Sequence, residues 1–237
     1  MKRLHSPLPL RSLFVAGLLC LAASASSAQA PIEPSLPEAP LPHRRVLLLF
    51  PGYETVQDPA IPVAPLRPRQ KFEMAYRKTI DPSFLVESAM FAGFAQVSGY
   101  GPSFGSDANG FAQRYGYYAA GLATTNLFTD GVLPVLLHQD PRYFRKGTGS
   151  VPSRIWWALR SEAIGFNDRG QQTVNVSSML GFGMSTALSN AYSPANSNTL
   201  GNTMYRYGVK EGVSFALNLL REFGGLSAPE KHQQQQQ

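Results

Sequence analysis

Among 237 residues there is one cysteine, Cys20, and only four histidines. Cys20 falls inside an N-terminal stretch that reads as a signal peptide. The chain that follows can therefore form no disulfide and offers no thiol nucleophile or thiolate ligand. No spaced His/Cys set provides a zinc site, and no metal or cofactor is expected. A Gly-x-Ser-x-Gly nucleophile elbow is also missing. Gly99-Tyr100-Gly101 with Gly105 is not followed by Lys-Ser/Thr, so it reads as a loop and not as a phosphate cradle. Charge is scarce at 15%, and the whole segment from Gly170 to Tyr205 contains none. Such a neutral run, rich in Ser, Thr, Asn and Gly, suits a helix covered on most sides by its neighbours. Long apolar runs are lacking too. The most apolar later stretch, Ala119 to Leu137, carries Asp130 and Pro134. An aspartate near a bilayer centre costs about 2.5–3.5 kcal/mol, so no spanning helix is expected.

What is present begins with an address. Lys2, Arg3 and Arg11 precede the apolar run Leu13 to Ala23, and Ala28-Gln29-Ala30 forms a small-x-small cleavage signal. This reads as a signal peptide over residues 1–30 and predicts export to the periplasm or outer envelope. A lipidated Cys20 does not fit, because Leu19 stands where a small residue belongs. The exported chain has 207 residues and a net charge of +3, enough for one substantial core but no signature of nucleic-acid binding. Ten of the nineteen prolines fall between Pro31 and Pro68, which predicts an extended arm over residues 31–68. Arg44 to Phe50 interrupts it as a short strand, or as a segment lying on the core.

Helical signals fill residues 69–225. Asp81-Pro82 and Asp140-Pro141 read as cap-plus-first-turn pairs, Asp107 or Asn109 as the cap of a third helix, and Asn175 and Thr199 as starts of further helices. A long helix from Gly110 to about Gln139 should kink at Pro134. Residues 226–237, ending in five glutamines, read as a solvated tail. Four helices carry small residues every fourth position: Ala89/Gly93, Ala112/Gly116/Ala120/Thr124, Gly183/Ala187/Ala191 and Gly208/Gly212/Ala216. These stripes predict close helix–helix packing. An eight-stranded outer-membrane barrel is the competing architecture, but the two-residue alternation it needs is not sustained. The expectation is an all-α compact bundle of five or six small-residue-rich helices behind a Pro-rich arm.

Two clusters could carry function. His138, Asp140 and Arg142 place a possible base, an orienting carboxylate and a cation together, as a small-molecule or hydrolytic enzyme would. The plainer reading is a histidine at a helix end with Asp140 capping the next turn. The second cluster is basic and aromatic: Arg142, Arg145, Lys146, Arg154, Trp156, Trp157 and Arg160. Trp with Arg on one amphipathic helix suits an anionic lipid surface, rings at the headgroups and guanidiniums on phosphates. A core-facing helix with solvated arginines is the alternative.

Leu49-Phe50-Pro51-Gly52-Tyr53-Glu54-Thr55-Val56, the Asp140-Pro141-Arg142-Tyr143-Phe144-Arg145 run with Gly147-Thr148-Gly149, and Ser189-Asn190-Ala191-Tyr192 resemble an uncharacterised family of exported bacterial proteins. The resemblance covers most of residues 46 to 223 and implies an envelope module without implying a reaction. The chain thus reads as an envelope-associated helical module, structural or bound to an anionic lipid surface or another envelope component. The alternatives are the enzyme around His138 and a homo-oligomer or pore built on the small-residue stripes.

Overall fold

A computed structural model describes residues 45–46, 50–57, 63–99 and 103–224. The chain divides into Met1–Ala39 and Pro40–Gln237, and all described residues belong to the second unit. The segment expected to be a signal peptide, most of the expected arm and the glutamine tail lie outside the described residues.

The described part is mainly helical, and local chemistry sets most helix ends. Pro68 opens α1 (Pro68–Ile80), where a missing N–H costs nothing. Asp81 closes that helix and caps α2 (Pro82–Ser98), its carboxylate accepting from the Ser83 N–H at 2.9 Å. Gly99 ends α2 in the left-handed region at φ 67°. Asp107 accepts from the Gly110 N–H and starts α3 (Ala108–Asn126). A wide π turn, Leu127–Val132, carries α3 into the short α4 (Leu133–Leu136). The bonding register widens just before Pro134, which has no N–H to donate. Leu133 bonds back to the Phe128 carbonyl, and Lys71 Nζ donates to the Pro134 carbonyl at 3.0 Å. Then follow α5 (Val151–Ala163), α6 (Val176–Ser189, capped by Asn175) and α7 (Leu200–Phe223, capped by Thr199).

Short strands tie the loops together. β1 (Arg45–Val46) pairs with β2 (Phe50–Pro51), and β3 (Thr55–Val56) runs parallel to β5 (Tyr143–Phe144). β4 (Gln139–Asp140), β6 (Ile164–Asn167) and β7 (Gln172–Val174) form a three-stranded antiparallel sheet in the order 4-6-7. Asp140-Pro141 therefore joins two strands instead of opening a helical turn. Strands of two to four residues are too short to show a two-residue period, which is why the residue pattern conceals them. The arm is corrected at its inner end as well. Tyr53, Glu54, Thr55 and Val56 are buried, so residues 51–57 belong to the folded domain.

The interior is polar. Among the described residues, 21 buried side chains are polar or charged, against 13 apolar ones and the prolines Pro51 and Pro134. Hydroxyls make this possible by bonding to their own helix: Ser88 to the Phe84 carbonyl, Thr125 to Gly121, Thr129 to Thr125 and Ser189 to Thr186. Cross-helix bonds join them, as in Tyr117 Oη to Ser189 Oγ (3.1 Å) and Thr125 Oγ1 to Ser185 Oγ (3.0 Å).

That polar interior overturns the stripe assignment. A Cβ on Gly93, Gly116, Gly208 or Gly212 would meet nothing within 4 Å, and one on Gly183 would meet only the Tyr207 ring at 4.0 Å. Ala112, Ala120, Ala191 and Ala216 are exposed, while Ala89 and Ala187 are half-buried. On α6 the buried face is Ser177, Gly181, Ser185 and Ser189, another four-residue stripe displaced by two positions. Close approach occurs there: a Cβ on Gly181 would lie 2.6 Å from Thr129 Cγ2 and 3.1 Å from the Thr129 backbone nitrogen. Gly181→Leu should therefore cost about 1–3 kcal/mol in a denaturant titration. Gly212→Ala, in open space, should hold or raise stability by up to about 1 kcal/mol. The reverse order would restore the original stripe.

Candidate functional site

Glu222, on the last turn of α7, is fully buried. Its Oε1 accepts from the Gly147 N–H at 2.9 Å and from Arg154 Nε at 2.8 Å. Its Oε2 accepts from the Lys146 N–H and from Tyr143 Oη, both at 2.9 Å. The Glu222 carbonyl takes further bonds from Arg145 Nε at 2.9 Å and from Arg154. One carboxylate thus holds the Tyr143 to Gly147 segment against α5 and α7. Left-handed backbone at Gly147 (φ 70°) lets its N–H turn toward the carboxylate. Burial works to raise the Glu222 pKa, but the donors from Arg154, Gly147, Lys146 and Tyr143 outweigh it and hold the carboxyl below the usual range.

A second charged group gathers around Lys78. Lys78 Nζ lies 2.8 Å from Asp130 Oδ2 and 3.4 Å from Glu54 Oε2, and Arg221 bonds the same Glu54 oxygen. Burial opposes the charge on Lys78, yet Asp130 and Glu54 together raise its pKa and keep it protonated. These residues line a cavity of about 160 Å³, together with Glu162 and Lys210. Glu162 accepts from Asn218 Nδ2 at 2.8 Å, and burial pushes its carboxyl up to about 7. Lys210 donates to Thr125 Oγ1 (2.9 Å) and Ser185 Oγ (2.6 Å); burial, then Arg206, pushes its ammonium down to about 7. Glu162 and Lys210 thus place a carboxyl and an amine, both shifted toward neutrality by burial, on the wall of one cavity. Among the described residues, no group of three His, Cys, Asp or Glu side chains is arranged to hold a metal ion.

The enzyme cluster does not assemble as its spacing predicts. His138 is exposed with φ 53°, and its Nδ1 lies 3.9 Å from Asp168. Asp140 is committed to Arg142, which donates from its backbone N–H, from Nε at 2.9 Å and from Nη2 at 2.5 Å. Asp140 and Arg142 line the cavity, while His138 does not. Asp168 in turn serves Lys71 Nζ at 2.7 and 2.8 Å.

The basic cluster is corrected more thoroughly. Arg142 belongs to Asp140, and Arg145 and Arg154 belong to Glu222. Lys146 Nζ bonds Ser153 Oγ at 2.6 Å. Arg160 reaches Gln172 at 2.8 Å and lies over the Trp157 ring. Trp157 turns inward and donates to the Phe144 carbonyl at 2.8 Å. Only Trp156, at 65% exposure, stands clear, flanked by exposed Val151, Ile155 and Leu159. Adjacent helical positions point about 100° apart, so the two indoles cannot share one face.

Glu54, Lys78, Asp130, Lys210, Arg221 and Glu222 escaped the residue-level reading. Asp130 alone carried a readable signal, a solitary charge between Ala119 and Leu137; Lys78, Lys210, Arg221 and Glu222 each stand next to another charged residue and look like ordinary solvated positions. No family model matches the chain, and neither the curated proteins nor the solved structures contain a match.

Glu222→Gln leaves Arg154 buried without its counter-charge and should lower stability by about 3–5 kcal/mol at pH 7. The native carboxyl titrates below its unfolded value, so its contribution is complete above about pH 4.5. It should disappear as the pH falls through the folded pKa. A denaturation midpoint at pH 7 unmoved by Glu222→Gln would contradict this.

Proposed function

We propose that the protein is an exported envelope module that associates with a lipid surface through apolar helix faces, not through its cations. One observation carries this reading: apolar side chains sit outside while paired charges sit inside. On α2, Leu85, Val86, Met90, Phe94 and Val97 are exposed, Val97 to 90%. α1 adds Tyr76 and Ile80, α7 adds Leu200 and Met204, and α5 adds Trp156. Ser88, Ala92 and Ala95 are the buried side of α2; the described chain leaves these apolar side chains uncovered, and a broad exposed apolar face belongs against a core or in lipid. Among the described residues no helix is long and apolar enough to cross a membrane, which favours lying on or partly in the lipid surface. The charged start, apolar run and Ala28-Gln29-Ala30 signal support export. Self-assembly is a second reading, favoured by open glycines at Gly93, Gly208 and Gly212, where a second helix could approach in a lipid phase.

Vesicle flotation tests the proposal. The protein should float with neutral as well as anionic vesicles and should stay bound in about 1 M salt, where the Debye length falls to about 3 Å. Met90→Ser/Phe94→Ser/Val97→Ser should reduce flotation without lowering the melting temperature. Release by salt, or binding to anionic vesicles alone, would return the role to the arginines.

A further inference from the structure

A second cavity, of about 70 Å³, lies between α2, α3 and α7. Phe91, Phe94, Tyr117, Tyr118, Leu122 and Val209 give it an apolar wall, and its polar corner is formed by Lys210 and Arg206. Lys210 also borders the larger polar cavity, as do Phe91 and Leu122. Both cations are short of partners. Lys210 Nζ bonds only hydroxyls, those of Thr125 and Ser185. Arg206 is buried and donates to the Ser197 carbonyl, Asn190 Oδ1 and Thr203 Oγ1, which leaves its Nε with no acceptor. Among the described residues neither has a carboxylate within 4.0 Å. Lys71, Lys78, Arg142, Arg154 and Arg221 each have one, whereas buried Arg114, away from this cavity, donates to Gln96 and the Phe104 and Gly105 carbonyls instead.

We infer that this cavity binds a single-chain carboxylate amphiphile, its carboxylate taken by Lys210 and its alkyl chain laid along the aromatic wall. A buried cation without a counter-charge is costly, and a ligand carboxylate supplies what the chain omits. One ammonium with two neighbouring hydroxyls suits a compact monoanion better than a dianionic head. Phe94 marks the cavity's exposed side, and the apolar face of α2 continues from it through Met90 and Val97, so chain beyond the cavity stays on apolar surface. The burial that pushes the Lys210 ammonium down to about 7 fits an amine that regains its charge when an anion arrives. This inference concerns the interior and does not depend on whether the exterior meets lipid.

Displacement of a fluorescent eleven-carbon fatty acid tests it, with the full-length protein in a fixed concentration of neutral maltoside detergent. Decanoate should compete about tenfold or more better than decanol, the scale of one charge-assisted hydrogen bond. Lys210→Met should erase that preference. Gly121→Leu, which fills the cavity from α3 with the amine intact, should weaken both competitors and decides the matter if Lys210→Met does not fold. Decanol matching decanoate, a preference that survives Lys210→Met, or binding untouched by Gly121→Leu would overturn the inference. Decyl phosphate competing better than decanoate would overturn the assignment of a carboxylate head.

Discussion

Glu222 organises the architecture around it. A fully buried carboxylate must be paired, and this one is satisfied by two backbone N–H groups, a tyrosine hydroxyl and an arginine drawn from a distant part of the chain. That requirement brings the end of α7 onto the Tyr143 to Gly147 segment and holds Arg154 of α5 inward. The Tyr143 to Phe144 strand is in turn the partner of Thr55 and Val56, so the inner end of the arm is fastened to the same place. Neighbouring Arg221 bonds Glu54 from that segment. Remove the charge at 222 and arm, motif and two helices lose a common anchor.

The same logic extends through the interior. Lys71 with Asp168 and Lys78 with Asp130 and Glu54 are ion pairs placed where an ordinary domain keeps leucine. Such pairs contribute little net stability when desolvation is counted, but breaking one leaves an unpaired buried charge. The apolar side chains displaced from the interior then stand on the outside of α1, α2, α5 and α7, and the proposed function grows from that inversion. Lys210 and Arg206 depart from this pattern as cations without carboxylates beside an apolar cavity, and the further inference rests on that gap.

Helix starts were legible in the residues because caps act locally. Asp81, Asp107, Asn175 and Thr199 each accept from the first turn of the helix they open. The long helix through Pro134 was also visible, although its π turn was not. What could not be read was which face of each helix turns inward. Small-residue stripes occur in two registers on α6, and only contacts distant in sequence, Gly181 against Thr129 among them, select the buried one. The basic cluster misled for the same reason. Arg142 and Arg154 resemble a cationic surface until the Asp140 and Glu222 carboxylates are seen to claim them, and Glu222 lies 68 residues beyond Arg154. His138 and Asp140, two residues apart, meet different partners because His138 lies in left-handed turn backbone (φ 53°) before the strand that carries Asp140.

The central claim is the inversion itself: paired charge within, apolar side chains without. Photolabelling membrane-bound protein with a lipid-soluble diazirine, followed by peptide mapping, tests it most directly. The account predicts carbene adducts on Met90, Phe94, Val97, Leu200 and Met204, with none on Ser185 or Glu222. Adducts absent from α2 and α7, or spread equally over Ser185 and Glu222, would contradict it.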